Sequence, residues 1–93
     1  MYLVKRTFRR KDSNVQFFAD ARFNGYQEKM YKKVLAHNHQ IEENDCMRDI
    51  HVFYNEEQYQ RWADDPVTRK HIEEMSLYNK DNDISFNEVR ATV

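Results

Sequence analysis

Residues 47–54, MRDIHVFY, restrict the possible folds of this chain more than any other stretch. As a strand they place Ile50, Val52 and Tyr54 on one face and Met47, Asp49, His51 and Phe53 on the other. Apolar groups on both faces suit a central position in a sheet, where neighbouring elements cover each side. Asn55 with Gln58 then forms a helix-capping pair, opening a helix through Tyr59, Trp62 and Ala63. Asp64-Asp65-Pro66 restarts it, with Asp65 as N-cap and Pro66 at the first helical position, where its missing N–H costs nothing. Val67, His71 or Ile72, Met75 and Tyr78 continue the apolar stripe beyond this kink. Asn79 to Asp83 closes the second helix, and ISFNEVRATV from residue 84 reads as a last strand.

The first half is less sharply patterned. In YLVKRTFR, residues 2–9, Tyr2, Val4 and Phe8 lie on one side of a half-buried strand, with Lys5, Thr7 and Arg9 on the other. Arg6 interrupts the apolar side, which suits an edge or a bent position, and RRKDSN supplies a turn. Over 15–20, Val15, Phe17 and Ala19 alternate with Gln16, Phe18 and Asp20, as in the second strand of a hairpin. The pair Ser13 and Gln16 also permits a long helix with Val15, Phe18, Ala19, Phe23, Tyr26, Met30 and Val34 on one stripe. Gly25 would cost that helix about 1 kcal/mol. The strand is therefore preferred, followed by a helix opening near Asn24 and covering 25–37. Tyr26, Met30, Val34 and Leu35 would be its buried stripe, with Glu28, Lys29, Lys32 and Lys33 facing water.

This order predicts a single α+β domain over residues 1–93. Its antiparallel or mixed sheet has about four strands with two helices on one face, in a ferredoxin-like or related split βαβ arrangement. The other face of the sheet is expected to be solvated or covered by a second copy in a homodimer.

Composition excludes several classes. No apolar run approaches the ~20 residues that span a bilayer. MYLVKRTFRRK has charges where a secretory signal needs its apolar stretch. The single cysteine cannot form an internal disulfide, which fits a reducing cytoplasm. With one glycine, no Gly-rich phosphate loop can be built.

The stretch AHNHQIEENDCMRDIH, residues 36–51, gathers His37, His39, Asp45, Cys46, Asp49 and His51. A structural zinc site needs four ligands, usually from closely spaced Cys or His pairs. Here the sequence reads as a helix end, an acidic loop and the start of the central strand, so the histidines belong to different elements. Asp49 and His51 share a strand face, but Cys46 and His51 fall on opposite faces about 16 Å apart, too far for the imidazole to activate the thiol. No catalytic residue, metal or cofactor is expected from these patterns. Paired acids such as Glu56-Glu57 and Glu73-Glu74 read as solvated faces and helix starts.

Charge is divided along the chain. Residues 1–37 carry nine basic and three acidic side chains, and residues 38–93 carry six basic and thirteen acidic. Lys5, Arg6, Arg9, Arg10 and Lys11, with Lys29, Lys32 and Lys33 from the following helix, form a candidate patch for an acidic partner. The reading preferred from sequence is a small cytoplasmic protein-binding module, accessory or inhibitory, of the kind a virus or mobile element encodes. A first alternative is nucleic-acid binding through the same patch. Against it stand the acidic C-terminal half, a pI near 6.4 and a central strand without the glycines and spaced aromatics of an RNA-recognition strand.

A second alternative starts from Tyr59, Trp62, Asp65 and Pro66, which form a Y-x-x-W-x-x-D-P pattern before a helix and a last strand. Over roughly the last forty residues this resembles small dimeric α/β-barrel proteins, including antibiotic-biosynthesis-type monooxygenases. The resemblance implies sheets packed back to back in a dimer. A small-molecule enzyme or ligand carrier of that type requires an apolar pocket, for which His51, Tyr59, Trp62 and His71 are the candidate residues.

Overall fold

A computed structural model describes residues 1–32 and 35–93, with the backbone alone described over 35–38. The chain runs β1 (Tyr2–Arg10), α1 (Ala21–Tyr31), β2 (Leu35–Glu43), β3 (Cys46–Phe53), α2 (Glu56–Asp64), α3 (Pro66–Asp81) and β4 (Ile84–Thr92). The four strands form one antiparallel sheet in the order β2-β3-β1-β4. The three helices lie over one face, giving an α+β domain of ferredoxin-like topology. Among the described residues no helix is long and apolar enough to cross a membrane.

The C-terminal half follows its local signals. Asn55 Oδ1 accepts from the Gln58 N–H at 2.9 Å and caps α2. Asp65 Oδ1 accepts from the Val67 N–H at 2.9 Å, so α3 begins with Pro66 inside its first turn. The other oxygen of Asp65 accepts from the hydroxyls of Tyr26, at 2.7 Å, and Tyr31, tying α1 to the α2–α3 junction. Strand β3 is central, as its two apolar faces require.

The N-terminal half departs from expectation in four places. Residues 15–20 form no strand: Phe17 is buried, but the backbone is held by single contacts. Arg10 donates to the Val15 carbonyl at 2.9 Å, and the Tyr78 hydroxyl donates to that of Gln16 at 2.5 Å. Helix α1 opens at Ala21, because Asp20 Oδ1 caps the Phe23 N–H at 3.1 Å. It buries Phe23 and Gln27 and leaves Met30 exposed; the expected stripe position Val34 lies outside the described residues. The helix gives way to β2, so 35–43 is an edge strand and not a helix end followed by an acidic loop. Asn44, in the tight turn to β3, takes the left-handed backbone conformation (φ 56°) that Asn tolerates better than most residues. Strand β1, finally, is central and not an edge, flanked by β3 and β4.

Two apolar clusters lie between sheet and helices. One holds Tyr2, Val4, Phe23, Phe53, Tyr59 and Trp62, and the other Phe8, Phe17, Met47 and Ile84. The opposite sheet face carries Leu3, Lys5, Thr7 and Arg9 of β1, with Arg48, Ile50 and Val52 of β3 and Val89 of β4 beside them. No element of the chain covers this face among the described residues, and Ile41 and Val89 are 39% and 51% exposed there.

A polar rung in the covered face of the sheet

The register explains Arg6. It stands opposite Asp49 on one side and Glu88 on the other, and Asp49 stands opposite Gln40. Gln40, Asp49, Arg6 and Glu88 thus form one row across all four strands, on the face toward the helices. The rows on either side contain Val4 and His51, and Phe8 and Met47. The rung therefore runs between the two apolar clusters, where side-chain packing alone would favour aliphatic residues.

Arg6 is 6% exposed, and its charge is matched locally. Nε lies 3.1 Å from Glu88 Oε1 and Nη1 lies 3.8 Å from Asp49 Oδ2. Nη1 also donates to His51 Nδ1 at 3.1 Å. Because a guanidinium can only donate, this contact makes Nδ1 the acceptor, so the ring proton sits on Nε2, 3.7 Å from Asp49 Oδ1. Burial pushes the His51 pKa down to about 4; Asp49 opposes that shift, and Arg6 and His71 add to it. His51 is accordingly neutral at pH 7. The Trp62 ring stands edge-on to His51 at 5.2 Å and beneath the Arg6 guanidinium at 5.3 Å. Its Nε1 donates to Gln27 Oε1 at 3.0 Å, which leaves the Gln27 amide N–H groups as donors.

These groups border a narrow cavity of about 70 Å³ between the sheet and all three helices, large enough for several water molecules. Its lining includes Arg6, Asp49 and His51 from the sheet, Gln27 from α1, Trp62 from α2 and His71 from α3. On one flank it shares Asp20, Phe23 and His71 with an open groove of about 460 Å³. On the other it shares Arg6, Ile72 and Met75 with a second groove, of about 430 Å³, along β4.

Of the four pocket candidates, the structure places His51, Trp62 and His71 in the wall of the narrow cavity, and Tyr59 in the wall of the groove along β4. Sequence reasoning missed Asp20, Gln27, Gln40 and Glu88. The available signal was Arg6, a charge at an inward position of an otherwise alternating strand.

The basic patch does not assemble on one face. Lys5 and Arg9 lie on the outer face of the sheet and Arg6 is buried on the inner face. Arg10 folds onto the hairpin turn, with Nε 3.1 Å from Asp45 Oδ1 and Nη2 donating to the Asn44 carbonyl at 3.1 Å, while its guanidinium lies over Phe17. Lys11, Lys29 and Lys32 are exposed, the last two on and just after α1, and Lys33 lies outside the described residues. In the histidine-rich stretch, Cys46 belongs to the outer face and His51 to the inner, by register. Among the described residues, no three of His, Cys, Asp and Glu converge to hold a metal ion.

No protein-family model matches the sequence, and no curated protein matches it either. The fold, by contrast, is similar to solved structures along its whole length. The cofactor-independent oxygenase SnoaB from Streptomyces nogalater has a TM-score of 0.68 at 9% identity, covering 99% of this chain and 91% of that one. A putative antibiotic biosynthesis monooxygenase from Deinococcus radiodurans has a TM-score of 0.61 at 8% identity, covering 100% and 92%. A dabb family protein with a ferredoxin-like fold from Mesorhizobium loti has a TM-score of 0.57 at 13% identity, covering 100% and 98%. At these identities the likeness establishes the fold and leaves the chemistry to the site.

The expectation of a protein-binding accessory module is corrected by these findings. The structures that share the fold include an oxygenase and a putative monooxygenase, and a cavity with polar groups lies in the covered face. Neither an acidic protein partner nor a nucleic acid gains support, since the described cationic side chains invoked for both do not gather on one face.

Proposed function

We propose that this chain is a small-molecule enzyme or ligand carrier whose ligand lies in the cleft between the helices and the sheet. The polar rung carries this reading. Burying charge in the middle of a small two-layer core is costly, and an apolar set of similar volume is often at least as stable. A row containing Arg6, Asp49 and Glu88, opening onto a cavity beside a neutral histidine and an indole, is therefore better explained by recognition of a ligand than by stability. The aromatic and aliphatic walls of the flanking grooves suit a small, flat, mainly apolar molecule bearing a polar group. The similarity in fold to a cofactor-independent oxygenase, SnoaB, and to a putative antibiotic biosynthesis monooxygenase agrees with a small-molecule enzyme.

Trp62 is the only tryptophan and borders the cavity, so its fluorescence reports occupancy directly. Titration with bicyclic aromatic ketones and phenols is expected to give a saturable change in emission. Ile72→Phe, which fills the cavity, is expected to weaken that response at least tenfold. A wild-type protein whose emission does not respond to any of them would overturn the reading.

We further propose that a second copy covers the outer sheet face. Exposed Ile41 and Val89 and half-buried Leu3, Ile50 and Val52 put apolar side chains on all four strands of this face around Lys5, with no covering element among the described residues. Mass from light scattering tests this assembly.

A further inference from the structure

His71 has a partner that would suit it to more than binding. It lies on α3, and its Nδ1 is 3.1 Å from Asp20 Oδ2. The other oxygen of the same carboxylate caps α1 through the Phe23 N–H. Asp20 is thus fixed in position, and that backbone hydrogen bond, followed by the one to His71, holds its carboxyl below the usual carboxylate range. An ionised carboxylate only accepts, so the neutral ring carries its proton on Nδ1 and its lone pair on Nε2. The Phe23 ring stacks on the imidazole at 3.9 Å with an interplanar angle of 8°, which fixes the plane of the ring as well. His71 belongs to the wall shared by the narrow cavity and the groove of about 460 Å³, and with Nδ1 held by Asp20 the nitrogen left for a ligand is Nε2.

The surroundings specify what kind of ligand. Phe23, Pro66 and Val67 give the groove an apolar surface suited to a flat molecule. The charged groups around His71 are Asp20, Arg22, Lys70 and Glu74 in the groove, and Arg6, Asp49 and His51 in the cavity. Asp49 and His51 are engaged with Arg6, whereas at the groove Arg22 and Lys70 stand among Asp20 and Glu74, so a ligand that becomes an anion there meets cationic partners in a site of balanced charge.

We propose that His71, oriented by Asp20, is a general base that removes an acidic C–H proton next to the carbonyl of a flat, mainly apolar ketone. This rests on the cleft being a small-molecule site. In the step, the C–H bond breaks and its electron pair stays on the substrate as the enolate. The proton goes to His71 Nε2, and the Asp20 carboxylate balances the imidazolium. Return of a proton from Nε2 to carbon regenerates the ketone, so the cycle needs no oxidant or reductant. Asp20 is a positioning residue in this scheme, and His71 the catalytic one.

The test uses 2-tetralone, a bicyclic ketone with acidic C–H groups, in D₂O with the full chain. Proton NMR follows loss of the α-proton signal, and Trp62 fluorescence follows binding in parallel. Wild-type protein is expected to accelerate exchange above buffer, and His71→Gln to lower the protein-dependent rate about 100-fold while binding stays within twofold. Asp20→Asn keeps a side chain able to cap α1 but loses the negative charge. It is expected to lower kcat about tenfold while KM for 2-tetralone stays within twofold, a split that loss of packing would not produce. Binding without exchange, or exchange unchanged in His71→Gln, overturns the proposal and leaves the cleft reading standing. Absence of both binding and exchange in the wild type overturns the two together.

Discussion

Arg6 and His51 meet through a 3.1 Å hydrogen bond from Nη1 to Nδ1, so the buried cation fixes the tautomer of the buried imidazole. That bond exists only while His51 is neutral, and it sets a dependence of stability on pH. The folded-state pKa is pushed down to about 4, from an ordinary value of 6.5. A histidine with a depressed folded pKa binds its proton more readily in the unfolded chain. Its contribution is therefore fully present above pH 6.5 and is lost as pH falls toward 4. Urea unfolding at pH 7 and pH 5 is expected to differ by about 2 kcal/mol more in the wild type than in His51→Gln.

Removing one member of the rung exposes the others to an unbalanced charge. Arg6→Ala leaves Glu88 and Asp49 facing each other across β1 without their cation, and should lower the unfolding free energy by about 3 kcal/mol. This lies at the low end for buried pairs because the two carboxylate side chains retain 21% and 22% exposure. Neutralising the set together, with Arg6→Met, Asp49→Asn and Glu88→Gln, should cost less than Arg6→Ala alone. Chemical denaturation of the two variants checks the order.

Gly25 lies in the middle of α1 without a positive φ, and a Cβ built there meets no atom within 4 Å. Gly25→Ala should therefore stabilise the fold by about 0.5–1 kcal/mol, by restricting the unfolded chain and favouring the helix. A higher thermal midpoint with unchanged 2-tetralone binding is the expected result.

If the outer sheet face joins two copies, Val89→Glu puts a charge in place of an exposed apolar side chain on the β4 side of the contact. Light scattering is expected to show the mass of two chains for the wild type and of one for the variant, with unchanged circular dichroism. A single-chain mass for the wild type would dismiss the second copy.

The C-terminal half was legible in sequence because its boundaries are set by local groups. Asn55 and Asp65 cap the helices that follow them, Pro66 fits only a first turn, and β3 advertises two apolar faces. Strand β2 was not legible, because an edge strand draws its order from its partner and its sequence LAHNHQIEE shows no clean alternation. Residues 15–20 misled for the opposite reason. They alternate because an extended connection buries Phe17, yet an extended backbone becomes a strand only where another strand pairs with it. Arg6 was visible as an anomaly, but its meaning depends on Glu88, which only the pairing of β1 with β4 brings beside it. The link between Asp20 and His71 likewise depends on how α1 and α3 pack.

The cavity's two shared walls bear on how long its occupant can be. Because Asp20, Phe23 and His71 border one groove and Arg6, Ile72 and Met75 the other, α3 stands over the cavity like a bridge with open ground on either side. A rod-shaped molecule could thread beneath that span and project at both ends, with Ile72 and Met75 setting the headroom. Length would then be loosely selected and thickness tightly, which favours a series of flat compounds of increasing reach over any single compact one.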